Sequence, residues 1–181
     1  MSIHLICPGI HDLKLTDSFI QELTKQSIDL ENLLVFPTDQ YPPYSGWHIL
    51  KFLQEKCQAK SSSQLIIIGF SAGVVGAISA AWGWQISGGK IKALIAFDGW
   101  GVPLAGNFPI YRVSHDEFTH WSSELLGKGD KSFYADPPVE HLELWRSPQQ
   151  ITGWMVERTI EGKDSYCHYS LRDFLSSLLC Y

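Results

Sequence analysis

Gly69-Phe70-Ser71-Ala72-Gly73 is the segment of this 181-residue chain whose residue types and spacing most directly permit chemistry. The Ile-rich stretch at 64–68 precedes it, and Val74-Val75-Gly76-Ala77 follows. A serine on a sharp strand-to-helix turn has its hydroxyl lifted above the carboxyl end of a sheet. Glycines two residues to either side remove the side chains that would collide with the neighbouring strand and helix. The Ala72 N–H then points to the same place, at a helix N-terminus where the dipole favours negative charge. That arrangement suits nucleophilic attack on a carbonyl. The plainer alternative is a turn built only for tight helix–sheet packing. A phosphate-binding loop is disfavoured, because neither G-x-x-x-x-G-K-[ST] nor G-x-G-x-x-G accompanies the turn.

Serine alone is a poor nucleophile; it needs a neutral imidazole to take its proton and a carboxylate to orient that imidazole. Of the seven histidines, His4 falls in a strand and His48 in a helix away from the turn, while His11 is placed to line the site. His168 immediately precedes a C-terminal amphipathic pattern. His115 and His120, in Ser114-His115-Asp116-Glu117-Phe118-Thr119-His120, are rivals, with a charged solvated loop as their plain reading. No further ligand cluster supports a metal there, so no metal is expected. For the acid, Asp98 ends the apolar run 93–97 and leads into Gly99-Trp100-Gly101, at the edge where α/β sites assemble. A turn-starting role would also suit it. Asp116 follows a weaker run at 110–113, and Asp164 stands third.

The elements that must position these residues alternate. Runs at 3–7, 33–36, 65–70 and 93–97 are continuously apolar, as strands buried on both faces are, with weaker candidates at 110–113 and 142–145. Helical spacing appears in Phe19, Ile20 and Leu23 after a Thr16 N-cap, and in Trp47, Leu50, Leu53 and Cys57. It recurs through the small-residue stretch from Val74 to Ala81, and in Leu171, Phe174, Leu175 and Leu178. The expected fold is a single doubly wound α/β domain over 1–181, with a mostly parallel sheet of about six strands and helices on both faces. The stretch 99–138, with Pro103, Pro109, Pro137 and Pro138, reads as irregular except for a helix at 117–126. It would be a lid, a pocket rim or a surface connection.

This element order, with Gly69-Phe70-Ser71-Ala72-Gly73 at its centre, resembles the α/β-hydrolase superfamily, in a small form without a large cap domain. The resemblance implies the chain order serine, acid, histidine. It implies His168 as the base, since the family's catalytic histidine loop lies before the last helix. Asp98 is the favoured acid on its strand-end context, with Asp116 the alternative because the family more often places its acid after the following strand. Cys7-Pro8-Gly9-Ile10-His11 looks like the family's His-Gly oxyanion loop with Pro8 in the histidine's place, which makes the Ile10 N–H a second oxyanion donor beside Ala72. The implied activity is a serine esterase or thioesterase working through an acyl-enzyme, with no metal or organic cofactor. A catalytically silent domain of the same fold, binding a ligand or a protein, is the alternative.

Composition narrows the partners. With 14 Lys+Arg against 19 Asp+Glu the formal charge is -5, and no basic stripe is available to hold nucleic acid. No apolar run reaches the roughly 18–20 residues of a membrane span. The N-terminus lacks a signal-peptide pattern, and Cys7, Cys57, Cys167 and Cys180 show no metal spacing; a reducing, cytoplasmic setting is expected. Trp100, Trp121, Trp145 and Trp154 read mainly as core, with an apolar acyl substrate favoured if some line a cleft.

Overall fold

The computed structural model describes residues 2–25, 32–57, 64–158 and 163–179. Three apolar runs form the centre of one sheet: β1 (Ser2–Cys7), β3 (Gln64–Phe70) and β4 (Lys90–Phe97). β2 (Leu33–Val35) flanks β1; β5 (Ile110–Ser114), β6 (Lys131–Ala135), β7 (Thr152–Arg158) and β8 (Asp164–Ser170) continue beyond β4. The order is β2-β1-β3-β4-β5-β6-β7-β8. The first six strands are parallel, and β7 and β8 extend the sheet antiparallel. The fold is thus α/β, with eight strands in a mixed sheet among the described residues rather than about six.

Helices cover both faces, each burying its own cluster. On one face α1 (Leu13–Lys25), α5 (His141–Arg146) and α6 (Leu171–Leu179) bring Phe19, Trp145 and Phe174 onto Ile68, Phe97 and Phe133. On the other, α2 (Gly46–Lys56) and α3 (Ala72–Ile86) pack Ile49, Leu53, Val74 and Ala77 onto Leu5, Ile67 and Leu94. α4 (Glu117–Glu124) lies on this second face, where His120 stacks on Tyr134, 4.9 Å between ring centres. Alternation along β6 points Tyr134 away from Phe133.

Several elements differ from expectation, for local reasons. Thr16 is not a cap; it is buried inside α1, and Asp12 accepts the Lys14 N–H at 2.9 Å in the capping role. Residues 142–145 form a helical turn of α5, whose buried Leu144 and Trp145 mimic a short strand in sequence. The 99–138 region carries β5, α4 and β6, so its irregular segments are 99–109, 115–116, 125–130 and 136–138. The antiparallel ribbon escapes a search for apolar runs because β8 is exposed along most of its length.

Arg112, fully buried in β5, ties together the connection after β4 and the one between α4 and β6. Its Nε donates to the Gly127 carbonyl at 2.6 Å, and its guanidinium reaches the Val102 carbonyl at 3.3 Å and the Leu126 carbonyl at 3.5 Å. Burial pushes its pKa down to about 10. Cys7 and Cys57 are buried, Cys167 is exposed, and Cys180 lies outside the described residues. Among the described residues no helix is long and apolar enough to cross a membrane.

Candidate functional site

Register assembles the site. Phe70 of β3 pairs with Phe97 of β4, which pairs with Val113 of β5. The chain therefore leaves the sheet at nearly one level: Ser71 and Asp98 directly follow β3 and β4, and His115 follows Ser114, the last residue of β5. The ladder even continues into the turns, since the Ser71 N–H donates to the Phe97 carbonyl at 2.9 Å and the Asp98 N–H to the Val113 carbonyl at 2.8 Å. Parallel strands of equal register deliver their loops to one edge, where crevices form.

Ser71 has φ +52° and ψ -122°, a conformation that side chains other than glycine's rarely adopt, and Asp98 has φ +48°. Such strain persists where the surroundings over-determine it. At Ser71 they do. A side chain at Gly69 would press on Val74 and Ala77, and one at Gly73 would run into the Cys7 and Pro8 carbonyl oxygens. Gly9 packs equally close, where an added Cβ would lie 2.9 Å from the Phe70 carbonyl oxygen and 3.1 Å from the Ser71 Cβ. The β1 loop is thus wedged under the turn. Ser71 itself is only half-buried and opens into a cleft of about 500 Å³.

The side chain of Asp98 is 2% exposed, and its carboxylate is saturated from one side. Oδ1 accepts the His115 N–H at 2.9 Å; Oδ2 accepts His115 Nδ1 at 3.0 Å and His141 Nδ1 at 2.7 Å. An ionised carboxylate only accepts, so both Nδ1 atoms carry the proton. Burial alone would raise the Asp98 pKa, but the hydrogen bonds from His115 and His141 outweigh it and hold the carboxyl below its usual range. The hydrogen bond to Asp98 raises His115 in turn, against its burial, and the negative Asp116 and Glu140 add to that. His115 also sets its Nε2 3.5 Å from an Asp116 oxygen, so a carboxylate faces each of its nitrogens. His141 has Nδ1 committed to Asp98, and its Nε2 carries the basic lone pair. No imidazole is hydrogen-bonded to the Ser71 hydroxyl among the described residues, but His141, His115, Asp98 and Ser71 all line the same cleft.

His141 opens α5, one helical turn before the fully buried Trp145. Phe70, the residue preceding Ser71, stacks on His141 at 4.7 Å and on Trp145 at 4.9 Å, and Trp145 stacks on Phe19 at 3.7 Å. One aromatic column therefore runs from the core to the imidazole. No known protein-family model matches this chain, and no curated protein matches its sequence. What the site does must be read from its own geometry.

That geometry places the other sequence-derived candidates as follows. His168 lies on the exposed strand β8, edge-on to Trp154 at 5.3 Å, and does not line the cleft. Five strand spacings, roughly 24 Å, separate β8 from β3; His168 cannot reach Ser71. Asp116 accepts the Thr119 N–H at 2.6 Å and so caps α4, while Asp98 is the carboxylate in contact with both His115 and His141. Buried His120 lies 3.6 Å from Glu124, and burial, helped by nearby Arg112, pushes it down to about 4. Ala72, first residue of α3, lines the cleft with an N–H that has no acceptor within the helix. Ile10 is 76% exposed on the β1 loop beside the turn and is not among the cleft residues. His11 faces Phe70 at 5.4 Å, and burial lowers its pKa. Asp164 pairs with Lys128 at 3.2 Å, away from the site. Of the four tryptophans, Trp145 is core, Trp100 lines the cleft, Trp121 is exposed and Trp154 lines a separate cavity.

His141 escaped the sequence search because the Leu142–Trp145 run reads as a strand. Its signal was a histidine four residues before a tryptophan, just after Pro137-Pro138, which is how a helix that docks one face and presents another begins.

Proposed function

We propose that this chain is a serine hydrolase of the α/β-hydrolase type, acting on a carboxylic ester or thioester. Ser71 is the nucleophile, His141 the base and Asp98 the orienting acid, with the Ala72 N–H as an oxyanion donor. The observation that carries this reading is the 2.7 Å contact of His141 Nδ1 with Asp98 inside the cleft that Ser71 lines. Fixing the proton on Nδ1 makes Nε2 the base.

In the first half-reaction Nε2 takes the hydroxyl proton as Ser71 Oγ bonds to the carbonyl carbon. The carbonyl π electrons move onto oxygen, against the Ala72 N–H and the α3 dipole. Collapse expels the alcohol or thiol, which leaves with the proton from Nε2, and an acyl-Ser71 ester remains. Water then repeats the sequence, giving the acid and free Ser71. Val75, Trp100, Val102 and Phe118 line the same cleft and favour an apolar acyl or alcohol group.

A fluorophosphonate probe tests the reading. The expected result is labelling of the wild type that disappears in Ser71→Ala and is at least about a thousandfold slower in His141→Ala. No labelling of the folded wild type would make the cleft a binding site without catalysis.

A second reading has an observation of its own: donor atoms of Asp98, His115 and His141 all lie within 4.8 Å of one another, a grouping able to hold a metal ion. It would require the two Nδ1 protons to leave. Metal analysis of the purified protein separates the two: one equivalent of a transition metal, with activity lost on chelation, would replace the serine mechanism.

A further inference from the structure

A second cavity, of about 430 Å³, opens beside the first across the first turn of α4. Asp116, Phe118 and Thr119 from that turn line the cleft of Ser71, while Glu117 lines the second cavity. Its far wall is the antiparallel ribbon. Tyr134 and Trp154 are direct cross-strand partners, and Trp154 pairs with His168, so Tyr166, two residues earlier on β8, projects from the same face. Three aromatic rings thus share one face, and Glu117 and Asp136 supply negative charge beside them. Trp154 is held there by donating its Nε1–H to Asp136 at 2.8 Å. Among the described residues no lysine, arginine or histidine lines the cavity.

We propose that this cavity binds an organic ammonium cation, its charge held against the faces of Tyr134, Trp154 and Tyr166 and by the carboxylates of Glu117 and Asp136. Aromatic quadrupoles attract a weakly hydrated cation. A Ca²⁺ or Mg²⁺ ion would instead demand six or more oxygen ligands, which ring faces do not supply. An anion would meet the carboxylates of Glu117 and Asp136. The Tyr134 phenol senses the same field: burial raises its pKa first, and Glu117, Tyr166 and Asp136 raise it further. The site is separate from the hydrolase reading and stands or falls without it.

Calorimetric titration of the whole chain with choline, against uncharged 3,3-dimethylbutan-1-ol of the same shape, tests this. Choline is expected to bind saturably, at least about tenfold more tightly than the alcohol. Glu117→Gln, at an exposed position where folding is not at stake, and Trp154→Ala should each weaken choline by about fivefold or more. Ser71→Ala should bind it as the wild type does. Absence of saturable binding, equal affinity for the alcohol, or wild-type affinity in both cavity variants would overturn the proposal.

Discussion

The two halves of the sheet use side chains in opposite ways. At the carboxyl edge of β3, β4 and β5, every strand ends at the same level, so residues far apart in sequence meet in the turns just beyond: Ser71, Asp98 and His115. In the β6–β8 ribbon the direction alternates, no common edge exists, and residues meet only across a face, as Trp154 does with Tyr134 and His168. The parallel half concentrates polar chemistry at a rim, while the antiparallel half spreads an aromatic surface. His141 and His168 show the contrast most plainly. The first, delivered by the connection out of β6, touches Asp98; the second, embedded in a ribbon strand, stands edge-on to Trp154 of the ribbon.

Substitutions ranked by expected effect sharpen that contrast. Ser71→Ala and His141→Ala should each lower kcat for a short-chain p-nitrophenyl ester by about 10⁴-fold or more, because the members of such a set act as a unit. Asp98→Asn should cost about 10⁴-fold with the substrate KM little changed, since an asparagine no longer fixes the imidazole's proton on Nδ1. Retained activity in His141→Ala together with loss in His168→Ala would invert the comparison between the halves. Arg112→Met strips the donor from the Val102, Leu126 and Gly127 carbonyls, the first of which belongs to the cleft wall. It should cost about 2 kcal/mol and about 4–8 °C in Tm by thermal unfolding.

His115 gives a smaller, pH-dependent effect. Its pKa is raised by Asp98, so its contribution to stability is fully present below about 6.5 and is lost as pH rises through the raised value. The Asp98 pKa is lowered, so its contribution is present above about 3.9 and lost as pH falls further. Urea unfolding should therefore show the gap between wild type and His115→Gln widest between about pH 4 and 6.5, and narrowing at alkaline pH. A gap that grows with alkaline pH would mean that His115 is held neutral. The smallest effect belongs to His168→Ala, within about twofold in activity and about 0.5 kcal/mol in stability.

Sequence reading reached the parallel half far better than the ribbon. Continuous apolar runs such as Leu65–Phe70 mark strands buried on both faces, and the glycines flanking Ser71 announce a turn into which side chains would not fit. Asp98 was legible because it follows such a run directly. The ribbon was not, since Asp164–Ser170 carries no apolar stretch and its pairing depends on β7, which only the folded chain brings alongside. The same gap bears on the proposed base: with β7 and β8 unread, His168 falls just before the last helix, and His141 stands directly before the false strand at 142–145. Side-chain chemistry pointed to a histidine; topology says which ones line the cleft with Ser71.

The stacked rings of Phe19, Trp145, Phe70 and His141 have a practical consequence for how such a protein would fail on heating. The imidazole has two footings: its hydrogen bond to Asp98, and a tilt passed ring by ring from a phenylalanine on α1. α5 is a short helix, and loosening it would swing the imidazole away while the strands beneath stayed paired. Esterase activity should then fade at a lower temperature than the far-ultraviolet circular dichroism signal, so that the molecule goes quiet before it comes apart.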